Sequence, residues 1–215
     1  MKIQTFTFNA FSENTFVLYD ETKECIIIDP GCYDTFEQEE LTSFIESNKL
    51  KPLGIYNTHC HVDHVLGNSF LKRKYGLKLF IHEFDKPTLE TVKIYSTNYG
   101  FHKYEPASPD EYINEGDEVK FGHTTLNILF VPGHAPGHVA FLNKVENVCI
   151  SGDVLFRRSV GRTDFPGCSH EALLNSIRTK LYVLPDQTVI YPGHGPTTTI
   201  LEEKEYNPFC NTKVI

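Results

Sequence analysis

Three histidines and one aspartate lie within six residues of the sequence, in the segment Thr58-His59-Cys60-His61-Val62-Asp63-His64. Imidazole and carboxylate groups are common metal ligands, and such a density is rarely an accident of surface composition. His59 and His61 lie two residues apart, so their side chains point the same way if the segment is extended. Asp63 and His64 are adjacent, so a turn would direct them differently, and a second ion becomes geometrically reasonable. The segment therefore predicts a metal centre.

A closed structural zinc site is disfavoured, because such sites usually rely on paired cysteines and the sequence contains no Cys-x-x-Cys. The neighbouring elements instead indicate a catalytic position. An apolar run over residues 53–56 predicts a strand before the segment, and helical periodicity follows over residues 67–75. Ligands at the C-terminal end of a strand are where α/β folds place their chemistry.

Three later side chains of suitable type also follow predicted strands directly. They are His134, Asp153 and His194, and a glycine precedes each of them. Glycine lets the backbone turn tightly and approach an ion. Each position alone is equally compatible with an ordinary turn, but together with the first segment they predict a set of metal ligands.

The rest of the pattern alternates strands with amphipathic helices. The main predicted strands are 2–8, 15–19, 25–28, 78–81, 118–121, 126–131, 139–142 and 148–150, and the main predicted helices begin at Thr35, Glu83 and Ser169. Phe36, Leu41, Phe44 and Ile45 are expected on the buried face of the first helix. This alternation predicts an α/β fold with two sheets packed together and helices outside.

Three further residues of reactive type are assigned structural roles. Asp29 ends a strand before Pro30-Gly31, so a turn carboxylate is favoured over a ligand. His82 lies between a predicted strand and a helix and is expected to be a cap or a surface group. Cys60 points opposite to its histidine neighbours in an extended segment, so it is expected to pack.

The composition is that of an ordinary globular domain, and 215 residues suit a single domain spanning residues 1–215. No window is apolar enough for a membrane span, and the N-terminal residues lack the pattern of a secretory signal. Six scattered cysteines fit a reducing compartment, so a cytoplasmic location is expected. The net charge of −8 argues against broad nucleic-acid binding, which leaves small molecules as the expected partners.

The order His59-x-His61-x-Asp63-His64, His134, Asp153 and His194 resembles the metallo-β-lactamase fold superfamily, specifically its glyoxalase II-like hydrolase branch. The resemblance extends over nearly the whole chain and implies an αβ/βα four-layer sandwich with a dinuclear centre. It implies that His59, His61 and His134 bind one ion, that Asp63, His64 and His194 bind a second, and that Asp153 bridges them. Asp63 is also expected to orient the metal-bound hydroxide. Zinc is the expected metal, with two ions per chain, and iron or manganese also suits these ligands.

Residues 151–156 and 159–165 resemble the short bacterial glyoxalase II-like proteins. The longer members of that family carry a C-terminal helical extension that supplies part of a glutathione site, whereas about twenty residues follow His194 here. The resemblance therefore implies hydrolysis of thioesters such as S-lactoylglutathione, with glutathione recognition left open. Arg162 lies where the family has a basic glutathione-contacting residue, so it either holds a substrate carboxylate or forms a surface ion pair.

Two other functions remain compatible with the sequence. Persulfide dioxygenases of the same superfamily share the first segment and use a single iron, whose ligands would be His59, His134 and Asp153. A metal-loaded but inactive module that recognises a metabolite is the alternative from another class. Hydrolysis of a model thioester distinguishes the hydrolase from the binding module.

Overall fold

The chain folds as a succession of strands and short helices in two compact units. The computed structural model describes residues 1–211. The first unit contains residues 1–113 and 120–125, and the second contains residues 114–119 and those from 126 onwards. Within residues 1–211, no helix combines the length and the apolar character that crossing a membrane requires.

A six-stranded mixed sheet forms the framework of the first unit. Its strands are β1 (Lys2–Phe8), β2 (Glu13–Tyr19), β3 (Glu24–Ile28), β4 (Lys51–Tyr56), β5 (Leu79–Ile81) and β6 (Glu111–Tyr112). They lie side by side in chain order, antiparallel from β1 to β3 and parallel from β3 to β6. Because β3 and β4 are parallel neighbours, the residues that follow them leave the sheet at the same edge.

Short helices connect these strands. They are α1 (Thr35–Ser47), α2 (Val62–Val65), α3 (Asn68–Tyr75) and α4 (Lys86–Tyr95), with 3₁₀ turns at Glu83–Asp85 and Ser96–Tyr99 on either side of α4. His82 caps the first of these turns as expected, since its side chain is buried and accepts a hydrogen bond from the Phe84 amide at 3.2 Å.

One expectation for α1 is wrong. Leu41 and Ile45 are buried as predicted, but Phe36 is 82% exposed. At 3.6 residues per turn, Phe36 lies about half a turn around the helix from Ile45, so the two side chains point in opposite directions. The N-terminus of the helix is fixed instead by a capping box between Asp34 and Glu37.

A second six-stranded sheet forms the framework of the second unit. Its strands, from one edge to the other, are β14 (Thr198–Thr199), β13 (Val189–Pro192), β10 (Val148–Gly152), β9 (Val139–Asn143), β8 (Thr124–Phe130) and β7 (Glu118–Phe121). Strands β10 and β13 are parallel, and β9 is antiparallel to both β8 and β10. The C-terminal ends of β8, β10 and β13 therefore lie at one edge.

The second unit also contains a hairpin, β11 (Leu155–Phe156) and β12 (Ser159–Val160), and the helices α5 (His170–Ser176) and α6 (Ile200–Tyr206). A π-helical stretch, Ile177–Leu181, continues α5. Ser169 caps α5, because its side chain accepts a hydrogen bond from the Ala172 amide at 3.2 Å.

A buried carboxylate joins α6 to the hairpin. Glu203 is fully buried, and its oxygens accept hydrogen bonds from the Arg158 guanidinium at 2.7 Å and from the Arg158 amide at 2.8 Å. The Asn207 side-chain amide donates to the same carboxylate at 2.8 Å. Arg158 lies between β11 and β12 with a left-handed φ of 64°, so these bonds hold an otherwise unfavourable turn.

The predicted α/β class is confirmed, and each of the eight main predicted strands overlaps an observed strand. The cysteines at all six positions are free thiols, and Cys60 packs into the apolar core of the first unit as expected. That residues 1–215 act as a single domain stays a prediction.

The carboxylate of Asp20 stabilises a turn of the first unit that lies far from Asp20 in the sequence. Its carboxylate accepts hydrogen bonds from the Thr22 hydroxyl at 2.5 Å, the His123 amide at 2.7 Å and the Thr124 hydroxyl at 3.1 Å. Desolvation by burial raises the pKa of Asp20, but these donors together outweigh it and lower the pKa from 3.8 to about 2.

Because the folded-state pKa is the lower one, ionised Asp20 stabilises the fold fully above the unfolded pKa, and this contribution is lost as pH falls from 3.8 to about 2. We expect Asp20→Asn to lower the free energy of unfolding at pH 7 and to flatten its dependence on pH in this window. Urea unfolding at several pH values measures both effects. Glu21→Gln, the exposed neighbouring acid, is the control, and a pH dependence in Asp20→Asn equal to that of the parent would contradict the assignment.

Candidate metal centre

The first unit carries the predicted ligand segment immediately after β4. His61 is the residue before α2, and Asp63 and His64 lie within this helix, so the expected turn is a single helical turn. The ring of His59 lies 4.7 Å from that of His61 and 4.1 Å from that of His64, measured between centroids. The Asp63 carboxylate lies 3.6 Å from Nε2 of His64. The four predicted ligands of this unit therefore form one cluster.

Asp29 supports this cluster from beneath. It follows β3, is fully buried and has a left-handed φ of 49°. One carboxylate oxygen accepts a hydrogen bond from the Thr58 amide at 2.7 Å, and the other accepts one from the Thr58 hydroxyl at 2.6 Å. The second oxygen also lies 3.2 Å from Nδ1 of His64. The expected turn carboxylate thus has a further role, because it orients a proposed metal ligand.

These contacts determine which ring nitrogens face the centre. A carboxylate only accepts hydrogen bonds, so Nδ1 of His64 carries the proton and Nε2 presents its lone pair. The Thr58 hydroxyl has one proton, which it donates to Asp29, so it accepts from Nδ1 of His59 at 3.0 Å. Nε2 of His59 is therefore also in the form that binds a metal ion.

Two more buried carboxylates, which sequence reasoning missed, support the segment. Glu13 is fully buried at the start of β2, with one oxygen 3.8 Å from Nδ1 of His64. Desolvation by burial raises the pKa of Glu13 well above its ordinary value. Asp85, also fully buried, accepts a hydrogen bond from the Cys60 amide at 2.7 Å. Neither residue has a motif spacing that could have revealed it.

The second unit brings its three predicted ligands together at the shared strand edge. Asp153 lies centrally, with Oδ2 at 3.5 Å from Nε2 of His134 and at 3.5 Å from Nε2 of His194. Nδ1 of His134 donates to the carbonyl oxygen of Arg162 at 2.7 Å, so this ring also presents Nε2. A carboxylate between two imidazoles is therefore the arrangement of this unit.

Two hydrogen bonds and a close approach to α5 fix the backbone of the loop that contains His134. The Cys168 thiol donates to the His134 carbonyl at 2.8 Å, and the Ser176 hydroxyl donates to the Pro132 carbonyl at 2.7 Å. Gly133 has a φ of +142°, and a Cβ there would lie 2.3 Å from the Leu173 backbone. The glycine expected to permit a tight turn is thus required for close packing on α5.

His138 is a histidine that sequence reasoning passed over, although the spacing His134-x-x-x-His138 was visible. It is fully buried, and its Nε2 accepts a hydrogen bond from the Asp153 amide at 3.0 Å. That nitrogen is therefore engaged with backbone, and His138 positions Asp153 by holding its main chain.

Arg162 extends its side chain into solvent from the second unit. Its Nε and Nη2 donate to the two carboxylate oxygens of Asp164 at 3.0 and 2.8 Å, and its guanidinium lies 4.8 Å from the centroid of the Phe165 ring. The hydrogen bonds from Arg162 hold the pKa of Asp164 below its ordinary value. Of the two roles left open by the sequence, the ion pair is present.

The donor atoms suit metal ions by both type and spacing. In the first unit, a carboxylate oxygen of Asp63 lies 3.6 Å from Nε2 of His64. Atoms that share an ion at about 2.1 Å lie roughly 3 to 4 Å apart, which agrees with the 3.5 Å separations around Asp153. Imidazole and carboxylate donors without thiolates suit zinc, iron or manganese.

Comparison with known proteins agrees with this chemistry. Residues 9–194 match the family model of the Metallo-beta-lactamase superfamily. The chain belongs to this superfamily. As a member, it is 39% identical to hydroxyacylglutathione hydrolase GloC of Haemophilus influenzae over 99% of this chain and 100% of that protein. It is 35% identical to the probable metallo-hydrolase YqgX of Bacillus subtilis over 98% of both chains.

A solved structure of the same fold has been obtained with metal. The chain superposes on the di-iron-bound form of TTHA1623 with a TM-score of 0.86 and 36% identity, over 96% of this chain and 99% of that one. The expected metallo-β-lactamase fold is therefore confirmed. The histidine and aspartate clusters support a site for two metal ions in the superfamily fold.

We expect Asp153→Ala and His61→Ala to lower metal affinity by more than about 100-fold, because loss of an outer-sphere partner alone costs 10- to 100-fold. Titration with a chelating indicator measures this, and circular dichroism checks that the scaffold is folded. Asp186→Ala, at an exposed surface pair with Lys204, is the control. Full metal loading in Asp153→Ala would show that this residue is not a ligand.

Proposed function

We propose that this metallo-hydrolase cleaves thioesters of small anionic thiols at a centre of two metal ions, with S-lactoylglutathione as the first substrate to test. The observation that carries the proposal is the position of Asp153, whose Oδ2 is 3.5 Å from Nε2 of both His134 and His194. One carboxylate between two imidazoles suits a ligand shared by two ions. The similarity to a hydroxyacylglutathione hydrolase supports the choice of a thioester.

The proposed ligand assignment uses every member of the two clusters. His59, His61 and His134 would hold one ion, Asp63, His64 and His194 would hold the other, and Asp153 would be shared. Zinc is the proposed metal. We place the activity in one domain of residues 1–215 and, since all six cysteines are free thiols, in the cytoplasm.

When bound, the ions would lower the pKa of a coordinated water to about 7 and polarise the thioester carbonyl. The protein holds the rings of His59, His64 and His134 so that Nε2 faces inward, through hydrogen bonds from each Nδ1. Asp63 would orient the nucleophile that the ions supply toward the carbonyl carbon. Departure of the thiolate needs little help from an acid, since the pKa of a thiol is near 8.5.

Arg162 is proposed to bind a carboxylate of the thiol carrier. A guanidinium matches a carboxylate in a two-point contact, which is the geometry that Arg162 already makes with Asp164. The substrate carboxylate would compete with Asp164 for the guanidinium of Arg162. Before substrate binds, the ion pair with Asp164 keeps the Arg162 side chain extended.

The proposal is tested by metal content and turnover of protein purified without chelators. We expect close to two ions per chain and hydrolysis of S-lactoylglutathione, which is measured by the release of free thiol. One iron per chain, with no hydrolysis but oxygen uptake on glutathione persulfide, would show a dioxygenase instead. Full metal loading with neither reaction would indicate a binding module.

We expect Arg162→Ala to raise KM for S-lactoylglutathione roughly tenfold, the scale of one charge-assisted hydrogen bond, and to change KM for a neutral thioester little. Asp164→Asn should have the opposite sign and lower KM for the anionic substrate. Steady-state kinetics on both substrates measure these effects, with Arg157→Ala as the neighbouring exposed control. Equal changes in KM for both substrates would remove the proposed role of Arg162.

A further inference from the structure

A group of aromatic rings lies beside the ligand segment in the first unit. Phe11, Tyr95, Tyr99 and Phe101 form a continuous set, which we call the aromatic wall. The rings of Phe11 and Tyr99 meet edge to face at 5.5 Å, Phe11 lies 5.7 Å from Phe101, and Tyr95 meets Tyr99 at 5.8 Å. Tyr33 supports Phe101 from behind at 5.0 Å.

The wall has a buried base and an exposed face. Phe101 is 3% exposed and Tyr95 is half-buried, and both pack into the core of the first unit. Phe11 and Tyr99 are 41% and 47% exposed. Large apolar rings held open to solvent on a fixed base are typical of binding surfaces, because their exposure is otherwise unfavourable.

Asn9 connects the aromatic wall to the cluster of proposed metal ligands through hydrogen bonds. The side-chain amide of Asn9 donates to the carbonyls of Gly31 and Asp63, each at 3.1 Å, and its oxygen accepts from the Phe11 amide at 3.0 Å. One side chain thus joins the backbone of a proposed metal ligand to the residue that carries the exposed ring.

Tyr95 gives a second connection between the wall and the cluster. It lies on α4, which packs against α2, the helix that carries Asp63. Burial raises the pKa of the Tyr95 phenol, and the nearby charge of Asp63 raises it further. The wall therefore flanks Asp63 along the side of the first unit.

We propose that the exposed faces of Phe11 and Tyr99 bind the acyl group of the substrate, so that the enzyme prefers thioesters with an aromatic or bulky apolar acyl group. This inference rests on the proposed thioester hydrolysis. A thioester has two substituents, and the thiol carrier of an S-acylglutathione is charged. Rings without a charge suit the other substituent, the acyl group.

The test compares S-mandeloylglutathione with S-lactoylglutathione, whose acyl groups differ only by a phenyl ring in place of a methyl group. The leaving thiol is the same and the intrinsic reactivity of each substrate is constant, so a change in the ratio of their kcat/KM values between parent and variant reports the acyl contact. We expect the parent enzyme to favour the mandeloyl substrate. Phe11→Ala and Tyr99→Ala should each lower this ratio by roughly threefold to tenfold, the scale of one aromatic pair, and Tyr99→Phe should retain it.

Phe36→Ala is the matched control, because it removes an exposed phenylalanine from α1 and should leave the ratio unchanged. Thermal melting checks that each variant folds, and Phe11→Leu, which keeps apolar bulk without the ring, replaces Phe11→Ala if the latter does not fold. A ratio unchanged in both the Phe11 and the Tyr99 variants would overturn the acyl assignment.

Two other outcomes separate this inference from the proposed function. If the metal-loaded parent hydrolyses neither substrate, thioester hydrolysis itself fails and the acyl preference fails with it. A second pair, the lactoyl thioesters of benzyl mercaptan and ethanethiol, varies only the thiol. A loss of selectivity in this pair, with the mandeloyl ratio intact, would assign the wall to the thiol and overturn the inference while leaving the hydrolase in place.

Discussion

Much of the site depends on hydrogen bonds made by ring nitrogens that face away from its centre. In the first unit, Asp29 and the Thr58 hydroxyl accept from Nδ1 of His64 and His59. In the second unit, the carbonyl of Arg162 accepts from Nδ1 of His134. Each bond selects the tautomer whose Nε2 can bind a cation and limits rotation of the ring. Ligand geometry is therefore determined by groups that would never touch the metal.

This constraint explains why buried charge is tolerated beneath the centre. An isolated carboxylate at the depth of Asp29 would be strongly unfavourable, but it accepts hydrogen bonds from the Thr58 amide and hydroxyl. The neighbouring strand ends supply these donors, because β3 and β4 are parallel and end at the same edge. The same few residues at these strand ends therefore satisfy the buried carboxylate and position the proposed ligands.

The candidate ligands could be identified from the sequence by residue type and spacing, and because four of them follow a strand within four residues. The supporting contacts could not, since Asp29 and Thr58 are 29 residues apart and Asp85 and Cys60 are 25 apart. His138 was visible as a spacing, but only the fold shows that its ring faces the Asp153 amide. Phe36 was misassigned because an apolar residue in the first turn of a helix can lie outside the stripe that later turns define.

The contact between Glu203 and Arg158 gives the last helix a role in organising the centre. Arg158 lies in the hairpin that begins two residues after Asp153, and its strained backbone is held by a carboxylate carried on α6. A chain ended before α6 would leave that guanidinium without its counter-charge and would release the turn beside Asp153. Removal of α6 would therefore destabilise the turn that follows Asp153, although every proposed metal ligand precedes this helix in the sequence.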